Sequence, residues 1–193
     1  MDLEQIYARI WASLARAAAE KNQPFKTMQA ATIDLDGAPN VRTVVLRSVS
    51  EPRGEIIFHT DLRSPKIVEL SREPRIALVG VDPVHNLQIR VTGRAEVVRS
   101  GPERLEAWQS SPDHTLTVYR TTLAPGTPIQ HPDEAFDANP ASAGEEARGF
   151  DHFCVVKVRV DSLDWLEHSK NDHHERARFY REGERWSQGW IAP

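Results

Sequence analysis

Cysteine is all but missing from this 193-residue chain: Cys154 stands alone, so no internal disulfide can form. At this length a chain buries well over half of the surface its unfolded form exposes, and one domain can hold a core without staples. Long apolar runs are also lacking. Asp2, Glu4, Arg9 and Arg16 interrupt the first apolar stretch, so neither a secretory signal nor a membrane span is readable, and a reducing cytoplasm is the expected compartment. There is no excess of positive charge: 24 Lys+Arg face 28 Asp+Glu, for a formal net charge of -4. Duplex affinity rests on Lys and Arg neutralising phosphates, so general nucleic-acid binding is not expected. The chain carries no Gly-rich dinucleotide fingerprint, phosphate-loop motif or Ser nucleophile elbow. Lysine is scarce, supplying only Lys21, Lys26, Lys66, Lys157 and Lys170, so the basic residues are mostly Arg, whose planar fork suits phosphate and carboxylate.

What is present is a succession of short strand-like runs. Residues 1–22 place Ile6, Ile10, Leu14 and Ala17 at helical spacing with Trp11 beside them, which predicts an amphipathic helix ending near Asn22 and Pro24. MQAATIDL, the Asp36-Gly37 turn signal, NVRTVVLRSV, a polar break and EIIFHT predict an antiparallel meander. Ser64-Pro65 resembles a cap and first helical position, so SPKIVELSRE should be a short helix closed by Pro74. RIALVGV is nearly continuous in apolar character, as in a strand buried on both faces, whereas LQIRVTGRAEVV alternates. PERLEAWQSS and DHTLTVYRTT read as helical, and residues 123–149, rich in proline and carboxylates, as a long surface loop. HFCVVKVRVD reads as a strand, SLDWLEH as another, and the tail as a hairpin. The chain is expected to be a single mainly β domain, residues 1–193, a closed or partly closed barrel with flanking helices.

Arg42, Arg47, Arg63 and Lys66 gather on neighbouring strands and the turn before a helix start, where unpaired backbone N–H groups already favour anions. Such a group suits a phosphate, and it equally suits a solvated strand edge decorated with Arg. Arg42 and Arg47 are five apart, so a regular strand sends them to opposite faces.

The runs ATIDLDGAPNVRTVVLR, FHTDLRSPKIVEL, EPRIALV and LQIRVTGRAE, followed by a Trp, a His/Arg-rich segment and an Ala-Pro end, resemble the pyridoxamine 5'-phosphate oxidase superfamily from about residue 27 onward. Within it the sequence is most similar to the oxidase-like flavoproteins of the Alr4036 type. The resemblance implies a six-stranded antiparallel split barrel, a homodimer, and FMN bound in grooves at the dimer interface. It implies that Arg42 holds the FMN phosphate, that backbone groups of Val44 and Val45 meet the flavin ring, and that Arg47 replaces a usual Lys near it. His59 and Thr60 match an aromatic-Thr pair. Ser64, Pro65 and Lys66 match a Ser-Arg-Lys phosphate turn whose middle Arg is lost, for which Arg63 could compensate. Gln88 falls on a cofactor-binding Gln, and Trp165 and Arg176 fall on the Trp and Arg that complete the flavin site, with spacing one residue different.

The flavin would then carry the chemistry for a small-molecule substrate, with no catalytic acid–base pair required of the protein and Arg47 tuning the ring. In the oxidases a Tyr, an Arg and a Ser on the helix after the fifth strand grip the substrate phosphate, and an Arg-x-His pair holds its ring. Here Ala107, Ser111 and Thr115, then Asp172 and His174, occupy the matching positions, and Trp190 stands where Arg is usual; a shifted register could bring Arg104 or Arg120 to the phosphate instead. An FMN-dependent oxidoreductase that does not turn over pyridoxamine 5'-phosphate efficiently is the expectation. A non-enzymatic flavin carrier or sensor, a barrel for haem or a deazaflavin, and a genuine pyridoxamine 5'-phosphate oxidase remain as alternatives. No metal site is expected of His168, His173, His174 and Asp172, because adjacent histidines in a polar turn rarely converge on one ion. Cys154 lies in an apolar strand and reads as a core residue.

Overall fold

The structure, a computed structural model, describes residues 1–135, 145–168 and 174–193, with 145–148 described in backbone alone. Helix α1 (Leu3–Ala19) starts from a capping box. The Gln5 N–H donates to the Asp2 carboxylate at 2.8 Å, and the Asp2 N–H donates to the Gln5 side-chain oxygen at 3.1 Å. Its apolar stripe, Ile6, Ile10, Trp11, Leu14 and Ala17, is fully buried, as the helical spacing requires.

β1 (Thr27–Ile33), β2 (Pro39–Ser50) and β3 (Glu55–Asp61) form the expected meander, and α2 (Pro65–Arg72) leads into β4 (Arg75–Asp82) and β5 (Leu87–Val98). β6 (Phe153–His168) follows, then the hairpin β7 (His174–Glu182) and β8 (Arg185–Trp190). Every neighbouring pair is antiparallel, and the order β3-β2-β1-β4-β5-β6 closes on itself through β3–β6, where His59 sits opposite Val155. This is the six-stranded barrel; the β7–β8 hairpin extends the sheet beyond it. Met28, Leu46, Ile56, Phe58, Leu78, Ile89, Val156 and Leu163 fill its interior.

HFCVVKVRVD and SLDWLEH are one strand, not two. The first half of β6 pairs with β3 and β5, the second with β5 and β7, and an irregularity lets Asp161 fall out of register as the pairing steps from Thr92–Ser162 to Gly93–Val160. Gly93 makes that step possible: a Cβ there would stand 2.2 Å from the Arg159 carbonyl oxygen. β4 also departs from expectation. RIALVGV buries only alternate residues, with Ala77 and Val81 exposed, because none of the described elements lies over its outward face.

After β5 come α3 (Pro102–Ser110), α4 (Asp113–Leu116) and a 3-10 turn at Thr117–Tyr119. The segment expected to be one long loop carries a second 3-10 turn at Pro132–Ala135 and ends in α5 (Glu145–His152); its residues 136–144 lie outside the described ones. Packing explains why α5 forms. Phe150 lies 5.7 Å from Trp108 between ring centroids, in contact with a small second core of Trp108, Leu116, Tyr119, Phe153 and Val155. Arg104, only 8% exposed, reaches through this core to donate to the Phe153 carbonyl at 2.7 Å and the Asp151 carbonyl at 3.2 Å. No helix among the described residues is long and apolar enough to cross a membrane.

Candidate functional site

Arg42 and Val44 alternate with Leu46 on the inward face of β2, while Val45 and Arg47 take the other, as the five-residue spacing predicts. Arg42 therefore reaches α2 near the barrel end. Its Nη2 donates to Glu69 Oε2 at 2.7 Å, and its Nη1 to the Thr32 hydroxyl, which itself donates to Glu69. Asn40 Nδ2 donates to the other Glu69 oxygen at 2.9 Å. Burial alone would raise the Glu69 carboxyl, but these hydrogen bonds and the Arg42 charge hold it below its ordinary value.

Beside this knot, Lys66 Nζ donates to the Ser64 hydroxyl at 2.6 Å and the Thr60 hydroxyl at 2.9 Å. Ser64 sits at the expected cap position of α2, yet its hydroxyl serves Lys66 and makes no cap hydrogen bond. Burial, with help from Arg42, lowers the Lys66 pKa. Of the four cations expected to gather, Arg42 and Lys66 lie together, with Thr60 and Ser64, two positions named by the family resemblance: two cations and two hydroxyls at a helix start, a donor set that fits a phosphate. Arg63 does not join them. It forks onto Asp61 at 2.8 and 3.0 Å and donates to the carbonyls of Thr121 and Thr122 at 3.0 and 3.2 Å, pinning the segment after the 3-10 turn.

Arg47 and His59 line a different recess, a cavity of about 290 Å³ between the outer face of the sheet and α3. Ser48, Ile57 and Val155 complete its floor, and Glu103, Glu106, Ala107 and Ser110 form its α3 wall. His59 packs edge-on against Phe153 at 4.8 Å, and burial, then the Arg47 charge, lowers its pKa to about 4, so the ring is neutral at pH 7. Lys157 holds Glu103 at 3.0 Å, whereas Glu106 takes no ion-pair partner among the described residues. Two positions matched to the oxidases' phosphate grip spend their hydroxyls on helix carbonyls: Ser111 donates to Ala107 at 2.7 Å and Thr115 to Pro112 at 2.8 Å. The alternative candidates are also occupied, Arg104 by carbonyls and Arg120 by Asp113. Asp172 lies outside the described residues.

Gln88 and Arg176 sit on a third surface, the outward face of β5, β6 and β7, where Gln88, Leu166 and Arg176 form one cross-strand row. Arg176 donates to Asp164 at 3.0 Å through both Nε and Nη2, and Arg178 binds the same carboxylate at 2.9 Å. No hydrogen bond or ion pair among the described residues links this row to Arg42 or Lys66. Trp165 is not part of that row. Its indole is fully buried, with the Arg9 guanidinium 5.0 Å above the ring and Nε1 without a hydrogen-bond partner. No group of three or more metal-ligating side chains occurs among the described residues.

Thr32, Asn40 and Glu69 were not singled out from the sequence. One signal for Glu69 was there: it follows Lys66 by three on a predicted helix, which puts both on one side.

Residues 8–99 match the family described as pyridoxamine 5'-phosphate oxidase, FMN-binding domain. The chain is 29% identical over 185 residues to the pyridoxine/pyridoxamine 5'-phosphate oxidase of Aeromonas hydrophila, covering 93% of this chain and 85% of that one. It is 27% identical over 196 residues to the enzyme of that name from Thermosynechococcus vestitus, with 96% and 86% covered. Among solved structures, an FMN-binding protein related to pyridoxamine 5'-phosphate oxidase from Nostoc punctiforme superposes with a TM-score of 0.79 at 24% identity over all of both chains. PhzG from Burkholderia lata, solved with tetrahydrophenazine-1-carboxylic acid, gives 0.73 at 18% identity, covering 100% of this chain and 94% of that one.

Proposed function

Because this chain belongs to the pyridoxamine 5'-phosphate oxidase-like split-barrel superfamily, we propose that it is an FMN-dependent oxidoreductase acting on a small molecule other than a phosphate ester. One observation carries the reading: a phosphate-suited cradle at the start of α2 and a cavity holding Arg47 and His59 lie on opposite faces of the same two strands. Arg42, Lys66, Ser64 and Thr60 hold the cofactor phosphate, and Val44 and Val45 lie along the strand between cradle and cavity. Bound FMN supplies the acceptor for a hydride or electron pair. Arg47 stabilises negative charge beside the ring, and neutral His59 offers a hydrogen bond without adding a second cation.

Substrate preference follows from the α3 wall. Where the superfamily's oxidases grip a phosphate, this cavity presents Ala107, Glu103 and Glu106, and the Ser111 hydroxyl is turned back to its own helix. On this wall a dianion would meet Glu106, and Glu103 paired with Lys157, where the oxidases supply a cation, and losing one charge-assisted contact costs about 1.5 to 3 kcal/mol. The protein functions as a homodimer. The outward faces of β2 and β4 leave Val41 and Val81 more than half exposed, beside the row that carries Gln88 and Arg176; a twofold partner covers this face and brings Gln88 and Arg176 to the other subunit's flavin.

A visible spectrum of the purified protein, with identification of the released chromophore and sedimentation of the loaded form, tests cofactor and dimer. FMN released from a dimer is expected; a colourless protein that takes up no added FMN refutes the reading. Aerobic turnover of pyridoxamine 5'-phosphate tests the substrate. Turnover at rates typical of enzymes with a micromolar KM would make the chain an oxidase of the kind its named relatives are.

A further inference from the structure

Three cations surround the start of α2, and two of them already have carboxylate partners within the chain. Arg63 is forked onto Asp61, which is 5% exposed, and Arg42 is bound to Glu69, which is 4% exposed. Lys66 differs: its partners are the Ser64 and Thr60 hydroxyls, and no carboxylate lies within ion-pair distance of it among the described residues. The Glu69 carboxylate is itself fixed, with one oxygen accepting from Asn40 and the other from Arg42 and Thr32. A carboxylate so held cannot swing away when an anion arrives. It locks the Arg42 guanidinium in one orientation, with Nε–H and one Nη2–H uncommitted among the described residues, and it cancels much of the Arg42 charge.

We propose, resting on the FMN reading above, that Glu69 is a positioning and charge-setting residue: it holds Arg42 from behind and leaves Lys66 as the cation that distinguishes a flavin phosphate from an unphosphorylated flavin. Arg42 recognises shape through its fork; Lys66 recognises charge. With Pro65 standing where the superfamily's phosphate turn carries another Arg, no further cation from that turn adds to Lys66. With Glu69 set against Arg42, the cradle keeps Lys66 as its one uncompensated cation among the described residues, and it discriminates FMN from riboflavin less sharply than a site of three such cations.

The test is titration of FMN and of riboflavin, followed by flavin fluorescence, with unmodified protein and four variants: Lys66→Met, Glu69→Gln, Arg42→Met and Arg42→Met/Glu69→Met. The quantity read is the ratio of the riboflavin Kd to the FMN Kd. Lys66→Met is expected to lower that ratio by about tenfold or more, the scale of one charge-assisted contact, and Glu69→Gln to raise it by about tenfold. Riboflavin affinity should stay within about threefold in both, which a merely structural role for Glu69 would not produce. Arg42→Met leaves a buried carboxylate facing the phosphate and should weaken FMN by about a hundredfold; removing Glu69 as well should recover at least about tenfold of that. An unchanged or lower ratio in Glu69→Gln, or no recovery in the double variant, overturns the proposal while leaving FMN binding intact. If Glu69→Gln does not fold by circular dichroism, the double variant decides. Failure of the unmodified protein to bind either flavin overturns the FMN reading, and this inference with it.

Discussion

His59 makes the fold acid-sensitive by an amount the structure allows to be worked out. Burial beside Phe153, and the charge of Arg47, depress its pKa from the ordinary 6.5 to about 4. The folded protein therefore keeps the ring neutral where the unfolded chain binds a proton. A base whose folded pKa is depressed contributes nothing above the unfolded value and destabilises the fold as pH drops through the interval from about 6.5 to about 4. Integrating over that interval gives a loss of about 2 kcal/mol between about pH 7.5 and about pH 5. His59→Phe keeps a ring against Phe153 and has nothing to protonate. Urea denaturation of both proteins at the two pH values isolates the effect, because contributions from Glu69, Asp82 and Asp164, whose carboxyl pKa values are lowered, cancel in the difference. The unmodified protein should lose about 2 kcal/mol more than the variant on acidification. Equal losses, within about 0.5 kcal/mol, would mean that His59 is hydrated or paired in solution and would remove the basis for a neutral ring in the cavity.

Two further variants separate structure from function. Arg104→Met should cost about 3 kcal/mol by thermal unfolding, since it strips donors from the carbonyls of Phe153 and Asp151 inside the second core; tolerance within about 0.5 kcal/mol would mean that water replaces those donors freely. Asp61→Asn with Arg63→Met removes one ion pair whole, and FMN affinity should stay within about threefold; a thirtyfold loss would place Arg63 on the phosphate after all.

The fold was legible where periodicity had a single meaning. The α1 stripe and the β1–β3 meander are read from spacing alone, and the alternation of Arg42 against Arg47 needs no tertiary information. The polar Asp161-Ser162 pair interrupts the apolar run of β6 and reads as a strand boundary; the irregularity that absorbs Asp161 depends on Gly93 of another strand, which no local window contains. The apolar run of β4 predicts burial on both faces, but the described residues cover only one of them. At the site, residue type told which groups can bind an anion without telling which are already bound. Arg63 and Arg42 look equivalent in sequence, and they part only because Asp61 forks onto one while Glu69 braces the other from behind. Trp165 shows the same limit: its neighbours in sequence point outward, whereas its own indole is sealed beneath Arg9.

Arg42 and Arg47 lie five residues apart on one strand, yet they answer to different parts of the molecule: Arg42 to the barrel end and α2, Arg47 to the cavity under α3. Mutational drift in α3 can therefore reshape the cavity wall without touching the residues that brace Arg42. The exposed positions Glu103, Glu106 and Ser110 are cheap to exchange, since none belongs to the buried core, while Trp108 and Arg104 on the same helix keep it anchored. Such a helix is a natural site of divergence, where a few substitutions can change the lining of the cavity while the brace around Arg42 stays as it is.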